Sequence, residues 1–173
     1  MTRDVVVLVT GIPGSGKTTL ARRLSTALRL PLLSLDVVKE SLWDDATFAD
    51  RAQWRAAALE VVWALLPDMP VGAIIDLWAD PAHDPSPLRQ RVRQYADRRA
   101  CEVLCEVPGE LAAERYAARV RHPGHLRDHP ETLARIRAAA DLIRPLGVGP
   151  VLRVDTTGDV DLTQVVQWLQ QAG

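Results

Sequence analysis

Short apolar segments alternate with longer amphipathic segments along the chain. Residues 4–10 are mostly β-branched and apolar on both faces, which is typical of a central parallel strand covered by helices. Further apolar segments predict four more strands, at residues 30–35, 71–77, 100–107 and 151–155. This alternation predicts an α/β protein with one parallel sheet and helices on both of its faces.

The predicted helices carry apolar residues every three or four positions. Separate helices are predicted at residues 20–28, in a segment that ends near Leu42, and at residues 48–66, 88–95, 110–120, 133–143 and 162–170. Pro67 and Pro70 end the longest of them, and Asp161 with Gln164 forms a capping box for the last. Residues 121–130 are polar and contain two prolines and three histidines, so they predict a loop.

The composition is that of one soluble domain. With 173 residues, 47% of them hydrophobic, the chain is long enough for a single domain over residues 1–173. Lys and Arg number 21 against 22 Asp and Glu, which disfavours a long nucleic-acid track but leaves a local basic patch open. No apolar run approaches the roughly 20 residues that span a bilayer, and no signal-peptide layout begins the chain. We therefore expect a cytoplasmic protein that does not contact membranes.

The segment from Gly11 to Thr18 satisfies the G-x-x-x-x-G-K-[ST] pattern at every fixed position. It lies between a predicted buried strand and a predicted amphipathic helix, so its backbone N–H groups and the helix N-terminus would converge on one anion. We expect Lys17 to contact the β- and γ-phosphates of a nucleotide and Thr18 to ligate Mg²⁺. The predicted nucleotide-binding residues of this segment are Gly11, Pro13, Gly14, Ser15, Gly16, Lys17, Thr18 and Thr19.

Asp36 is the first candidate for the chemistry that uses the phosphate. It lies at the carboxyl end of the second predicted strand, on the edge of a parallel sheet where ligands bind. A carboxylate there could accept the proton of an acceptor hydroxyl or hold the Mg²⁺ shell through water, and it could also be a helix N-cap. The third strand ends Ile74-Ile75-Asp76-Leu77, without the Glu that activates water in hydrolysing P-loop motors, and no guanine-reading element is present. ATP is therefore favoured over GTP.

Five segments resemble the small P-loop kinase group, over nearly the whole chain. They are the phosphate loop, Leu33–Asp36 with Lys39, Ile74–Asp76, Glu114–Arg119 and Val154–Thr157. The group includes shikimate and gluconate kinases, chloramphenicol phosphotransferase, polynucleotide 5′-kinases, zeta-toxin-like kinases and AAA-type ATP-binding relatives. The resemblance implies a three-layer P-loop fold with a five-stranded parallel sheet of order 2-3-1-4-5, and a small mobile lid at about residues 115–131. It also implies phosphoryl transfer from ATP, with Mg²⁺, to a substrate hydroxyl.

The chain departs from this group at one position. Several members carry Asp-x-Asp at the end of the second strand, where this chain has Ser34 two residues before Asp36. One carboxylate of the magnesium shell is therefore missing there, and Asp76 is the candidate that would replace it.

Arginines that close over the γ-phosphate are needed because phosphoryl transfer depends on positioning and charge neutralisation. Arg115 and Arg119 share one face of a predicted helix, and Arg121 begins the polar loop. The resemblance implies phosphate contacts for Arg119 and Arg121 and a contact on the adenine side for Arg115. A solvated charged helix face is the alternative interpretation.

Three histidines, His122, His125 and His129, follow in the polar loop. The spacing of the first two is one that metal ligands use, but Pro123 and Gly124 between them interrupt any helix. A plain surface loop, or polar lid residues that contact phosphate or acceptor, is favoured over a metal site.

The acceptor pocket is predicted from residues just beyond two strand ends. Trp43 and Trp78, with Phe48, could line it, although packing in the core is the alternative for both tryptophans. Asp76, Asp80 and His83 would orient polar groups, and these acidic residues favour a neutral or cationic acceptor. The tryptophans at positions 54, 63 and 168 are predicted to pack in the core. The predicted substrate-binding residues are Asp36, Lys39, Trp43, Asp76 and Trp78.

These residues favour an ATP-dependent phosphotransferase that acts on a hydroxyl of a small molecule, with Asp36 as its base or orienting group. A polynucleotide 5′-hydroxyl kinase and a toxin-type sugar-nucleotide kinase are alternative enzymes. A non-catalytic ATP-binding switch or ATPase is an alternative of another class. The sequence indicates neither the acceptor nor the oligomeric state.

Overall fold

The structure, a computed structural model, describes residues 5–45, 50–95, 100–120, 122, 123, 125 and 129–172. Its strands are β1 (Val5–Gly11), β2 (Leu32–Ser34), β3 (Gly72–Asp76), β4 (Ala100–Glu106) and β5 (Val151–Asp155). Its α-helices are α1 (Lys17–Leu28), α2 (Leu35–Asp45), α3 (Arg51–Leu65), α4 (Ser86–Tyr95), α5 (Gly109–Ala117), α6 (Pro130–Leu142) and α7 (Leu162–Ala172). A 3₁₀ turn, Leu66–Asp68, follows α3.

The five strands form one parallel sheet in the order β2-β3-β1-β4-β5. Every residue of the central strand β1 is buried, and its Val7 pairs with Ile74 on one side and Cys101 on the other. The predicted α/β architecture and the strand order that the resemblance implies are both confirmed. Because parallel strands end at the same edge, the chain segments that follow β1, β2 and β3 meet there.

Helices cover both faces of the sheet because β1 is apolar on both. Val5, Val7 and Val9 point to the face that α1 and α7 cover. Val6 and Leu8 point to the opposite face, where they join buried residues of α3 and α4. A third buried cluster lies between α5, α6 and the start of the loop after β1. The predicted burial of three tryptophans also agrees: those at 54 and 63 are buried, and the one at 168 packs partly buried against the first cluster.

The second strand is shorter than the sequence predicts, and this moves Asp36. Apolar residues continue to Leu35, but β2 pairs with β3 only from Leu32 to Ser34, and α2 begins at Leu35. Asp36 is therefore the second residue of a helix rather than the last residue of a strand. It still lies at the sheet edge, because α2 begins directly where β2 ends.

Two other helix boundaries follow from local hydrogen bonds. The helix predicted from residue 48 begins at Arg51, because the Asp50 side chain accepts a 2.8 Å hydrogen bond from the Gln53 N–H as its N-cap. Phe48 itself lies outside the described residues. At the last helix, Asp161 accepts hydrogen bonds from the N–H groups of Thr163 and Gln164, as an N-cap should. The helix predicted at 110–120 ends at Ala117.

None of the described helices combines the length and the apolar character that a membrane-spanning helix needs. The predicted lid at residues 115–131 stays a prediction, because residues 121, 124 and 126–128 lie outside the described part of the chain.

Candidate active site

The loop between β1 and α1 has a left-handed backbone, which favours glycine, at two of its positions. Gly14 and Gly16 have φ angles of +85° and +81°. A Cβ at Gly14 would lie 2.1 Å from the carbonyl oxygen of Ala112, so a side chain has no room there. Gly16 is the N-cap of α1 and provides no side-chain hydrogen bond to the first turn. The N-terminus of α1 is thus left as the anion site that the sequence predicts.

Two polar residues at the end of this loop, Ser15 and Lys17, are buried. The Ser15 hydroxyl forms no hydrogen bond with any of the described residues. Lys17 is only 8% exposed, and its ammonium group forms no ion pair within the described part of the chain. A buried positive charge beside unused helix amides fits a polyphosphate, which would satisfy both.

Asp76, the last residue of β3, is 2% exposed and lies beside this loop. One of its oxygens accepts a 3.2 Å hydrogen bond from the Ser34 hydroxyl, and the neighbouring Thr18 side chain favours the ionised form, which acts to lower the pKa of Asp76. Its Oδ1 is buried and has no partner among the described residues. Burial raises the pKa of Asp76 above its ordinary value, although Lys17 opposes this.

These groups fit a magnesium ion. Mg²⁺ in nucleotide sites is bound through a few protein oxygens, several waters and the substrate phosphates. The Thr18 hydroxyl and the unpartnered oxygen of Asp76 supply that donor set, and Asp76 is held by Ser34, which stands where the group's motif has its first carboxylate.

Asp36 lies in the first turn of α2 with its side chain 43% exposed. Its Oδ1 is 3.4 Å from the Lys39 ammonium nitrogen. Burial alone would raise the pKa of Asp36, but the positive charges of Lys17 and Lys39 outweigh it, so its pKa lies below the ordinary value. Asp36 is therefore ionised near neutral pH and can accept a hydrogen bond from a hydroxyl.

Two of the three arginines predicted to contact the nucleotide, Arg115 and Arg119, lie in the described part of the chain, and they have different surroundings. Arg115 donates 2.8 Å hydrogen bonds to the carbonyls of Thr156 and Thr157, in the turn that follows β5. That turn lies beside the phosphate loop, because a Cβ at Gly16 would be 4.0 Å from the Cβ of Thr156. Arg119 is exposed and lines the cavity in front of the loop. Arg121, predicted to contact phosphate, lies outside the described residues.

A cavity of about 950 Å³ opens in front of the phosphate loop. The predicted site residues that line it are Pro13, Gly14, Lys17, Thr18, Asp36, Lys39, Asp76, Trp78 and Arg119. Those that do not are Gly11, Ser15, Gly16, Thr19, Trp43 and Arg115. Trp43 instead packs edge-on against Trp54, with ring centroids 5.0 Å apart. Trp54 and Trp63, predicted only to pack, are buried and also form part of the cavity wall.

Arg55 is a cavity residue that the sequence reasoning missed. Its guanidinium donates a 3.0 Å hydrogen bond to the Trp78 carbonyl and forms no ion pair within the described residues. Burial lowers the pKa of Arg55, and the charges of Asp36 and Asp80 act against this. The available signal was its position: Arg55 lies three and seven residues before Ala58 and Val62, both of which are buried on the same helix face.

A second missed residue, Arg135 of α6, reaches the same cavity. It forms a close ion pair with Asp80, and its guanidinium lies 5.5 Å from the ring centre of Trp78. Asp80 is also 3.4 Å from His83. The ion pair between Arg135 and Asp80 joins α6 to the segment that follows β3. It adds a positive charge to a cavity wall where the sequence suggested only acidic residues.

The three loop histidines do not converge. His125 is buried and lies 2.7 Å from Glu40 of α2, whereas the rings of His122 and His125 are 6.4 Å apart. His129 is the N-cap of α6. Across the described residues, no group of three or more His, Cys, Asp or Glu side chains is placed to hold a metal ion.

Comparisons with known proteins agree with this geometry. Residues 6–143, more than half of the chain, match the protein family described as an AAA domain. A solved structure of a candidate kinase from Chloroflexus aurantiacus is 31% identical, covers 100% of both chains and has a TM-score of 0.82. No curated protein matches the chain significantly.

More distant solved structures share the fold. Shikimate kinase from Acinetobacter baumannii, in complex with shikimate, is 21% identical with a TM-score of 0.66, and the match covers 96% of this chain and 90% of that one. A gluconokinase from Sinorhizobium meliloti is 20% identical with a TM-score of 0.64, over 99% and 94% of the two chains.

The sheet order, the phosphate loop and these neighbours define a small P-loop kinase fold, so the resemblance seen in the sequence is confirmed. Within that class, the chain belongs to the AAA domain family.

Proposed function

We propose that this protein is an ATP-dependent phosphotransferase that moves the γ-phosphate of ATP to a hydroxyl group of a small molecule. One observation carries the proposal: Lys17 of the phosphate loop and the ionised carboxylate of Asp36 line the same cavity. A phosphate-binding group and a hydroxyl-binding group that share one space are what an in-line transfer needs.

The phosphate end of the cavity would hold the nucleotide. The amides of the loop and the N-terminus of α1 would bind the phosphates, and Lys17 would neutralise the charge on the β- and γ-phosphates. Thr18 and Asp76 would hold Mg²⁺, which neutralises negative charge on the transferred phosphoryl group when it is bound. Arg115 supports a nucleotide on this side, because it fixes the turn beside Gly16.

Asp36 would orient the acceptor hydroxyl. In the proposed step the hydroxyl donates its hydrogen bond to Asp36 while its oxygen attacks the γ-phosphorus. A new P–O bond to the acceptor forms, the bond between the γ-phosphorus and the β,γ-bridging oxygen breaks, ADP leaves, and the proton passes to Asp36. The low pKa of Asp36 suits an orienting group that takes the proton late, and Lys39 holds the carboxylate in place.

A small hydroxylated acceptor is consistent with the neighbours, because the shikimate kinase structure contains shikimate, a hydroxylated acid. The charges of the cavity no longer favour a neutral or cationic acceptor, as the acidic residues alone did. Arg55 and Arg135 contribute positive charge to the same walls, so an anionic acceptor is also compatible with the site.

The experiment is an ADP-release assay with ATP and Mg²⁺ over sugars, nucleosides, antibiotics, hydroxy acids and oligonucleotides. We expect release that depends on one small-molecule class and falls at least about a hundredfold in Asp36→Asn, as for the loss of a general base. Asp68→Asn is the matched control, because Asp68 is exposed in the turn before β3, away from the site. Turnover that survives in Asp36→Asn contradicts the role of Asp36, and release without any acceptor supports an ATPase instead.

A further inference from the structure

The cavity is larger than a phosphate and a hydroxyl require. Its volume of about 950 Å³ lies near the upper end of the roughly 300–1,000 Å³ range of small-molecule sites. Beyond Asp36 it continues to Leu59, Leu88 and Leu146, which belong to α3, α4 and the segment before β5. We name this apolar part, away from the phosphate loop, the distal chamber.

One wall of the distal chamber is a single face of α3. Ala52, Ala56, Leu59 and Trp63 all line the cavity, and their spacings of four, three and four residues place them along one side of the helix. The two alanines leave this face open where larger side chains would fill the space. This stripe is apolar over about three helical turns; Ala52 and Ala56 at its start are exposed, and Arg55 and Glu60 flank it.

The other wall is the segment between β3 and α4 together with the first turn of α4, and it contains Trp78, Pro81, Pro85 and Pro87. Proline fixes its backbone φ angle, so a wall with three of them has little conformational freedom. A preformed wall loses little entropy when a ligand binds against it. Both walls are therefore suited to hold a rigid apolar group.

Charged side chains border this space at both ends: Arg55 lies toward Asp36, and Glu60, Arg89, Arg91 and Arg144 line the cavity near Leu59 and Leu146. Arg55 is next to Ala56 in sequence, and its charge interacts with Asp36 and Asp80. A ligand that places a hydroxyl at Asp36 would thus have polar atoms near these residues and an apolar portion beyond them. An all-polar acceptor would leave the α3 face and the prolines without a partner.

We propose that the acceptor carries a ring-sized apolar body, aryl or alicyclic, that binds in the distal chamber while its hydroxyl group is held at Asp36. This inference rests on the proposed function and adds the class of acceptor. It distinguishes the expected substrate from simple polyols and sugar acids, which have no such body.

The test compares two probes that differ only in the apolar body: phenyl β-D-glucoside and methyl β-D-glucoside. Their binding is measured by saturation-transfer NMR and calorimetry, which need no turnover. We expect the phenyl compound to bind at least about tenfold more tightly, because burial of a ring-sized apolar area contributes at least that factor. Equal binding of the two probes would overturn the proposal.

Variants locate the binding. Ala56→Phe places a bulky side chain on the α3 wall of the cavity and is expected to weaken binding of the phenyl compound at least about tenfold, by taking the space of its ring. Ala52→Phe on the same face should act in the same direction and serves if the first variant fails to fold. Ala64→Phe is the matched control, since Ala64 is exposed on the same helix and does not line the cavity. Phenyl binding that survives in the folded Ala52 and Ala56 variants would also overturn the proposal.

Titration of ATP with Mg²⁺ separates this inference from the proposed function. Wild type and Ala56→Phe should bind the nucleotide equally. If ATP binds and the phenyl preference is absent, only the chamber assignment is wrong. If the phenyl preference is present and ATP does not bind, the chamber stands and the phosphotransferase is wrong.

Discussion

Ser34 at the end of β2 donates a 3.2 Å hydrogen bond to Asp76 at the end of β3, directly beside the phosphate loop. The pair joins two strands that are hydrogen-bonded neighbours, and it leaves the other Asp76 oxygen unpartnered among the described residues. A serine therefore orients the buried carboxylate that would face a bound Mg²⁺ ion in the proposed site.

This arrangement predicts that Asp76→Asn weakens the magnesium-dependent part of ATP binding by about 10- to 100-fold, as for a disturbed metal shell. The amide removes the negative charge that the ion would neutralise. Calorimetric titration of ATP with and without Mg²⁺ measures the effect. Ser34→Ala keeps both oxygens of the Asp76 carboxylate and should weaken the magnesium-dependent part of ATP binding less. An equal loss of this binding in the two variants would contradict the assignment of Asp76 to the metal.

Gly14→Ala should destabilise the protein by about 2 kcal/mol or more, because the new Cβ meets the Ala112 carbonyl and the φ angle is left-handed. Thermal unfolding measures the change. Gly158→Ala is the control, since a Cβ there meets nothing within 4 Å and the φ is not left-handed. Equal melting temperatures for the two variants would show that the loop does not have this backbone.

Substitution of Arg115 should mainly lower the stability of the protein, whereas substitution of Arg119 should mainly lower its turnover. Arg115→Ala removes two hydrogen bonds to the turn after β5 and should lower stability by about 1–3 kcal/mol. Arg119→Ala removes an exposed side chain that lines the cavity and should change stability by no more than about 0.5 kcal/mol. Its turnover should nevertheless fall at least about tenfold, because an arginine stabilises the charge of the transferred phosphoryl group. Unchanged turnover would remove Arg119 from the mechanism.

Glu102 of β4 provides a pH-dependent contribution to stability. It is buried in the sheet, accepts hydrogen bonds from Thr10 and the Leu146 N–H, and burial raises its pKa above the ordinary value. The folded state then binds more protons than the unfolded state, so this contribution is present below the unfolded pKa and is lost as pH rises through the folded pKa.

Glu102→Gln cannot titrate, so its unfolding free energy should rise relative to wild type between about pH 4.5 and the raised pKa, by about 1.4 kcal/mol for each pH unit in that interval. Urea unfolding at several pH values measures it. A constant difference between variant and wild type from pH 4.5 to about pH 8 would show that the pKa is not raised. Glu60→Gln, at an exposed position of α3, controls for the loss of charge.

The sheet was predictable because its signal is local. Each strand is a short apolar segment, and the central strand is apolar on both faces, so β1 could be placed from its own residues. The end of β2 could not be placed from its own residues, because Leu33 and Leu35 are equally apolar. Only pairing with β3 decides where the strand ends. The helix start at Arg51 depended on the Asp50 cap, which the apolar pattern does not contain.

The candidate site also has a part that could be predicted from the sequence and a part that could not. The phosphate loop is contiguous in sequence, so its residues could be identified together. Arg55 and Arg135 reach the cavity from α3 and α6, and their contacts to Trp78 and Asp80 join residues that are far apart in the chain. No local pattern pairs such residues, and for this reason the charge of the cavity wall could not be predicted from its acidic members.

The most direct test of the proposed phosphoryl transfer is a crystal structure with a non-hydrolysable ATP analogue and Mg²⁺. We expect the triphosphate on the amides of residues 14–18, the metal on Thr18 and the Asp76 side, and the γ-phosphate facing Asp36 across the cavity. A nucleotide bound elsewhere, or a γ-phosphate that Asp36 and an acceptor hydroxyl cannot reach together, would contradict the proposed phosphoryl transfer.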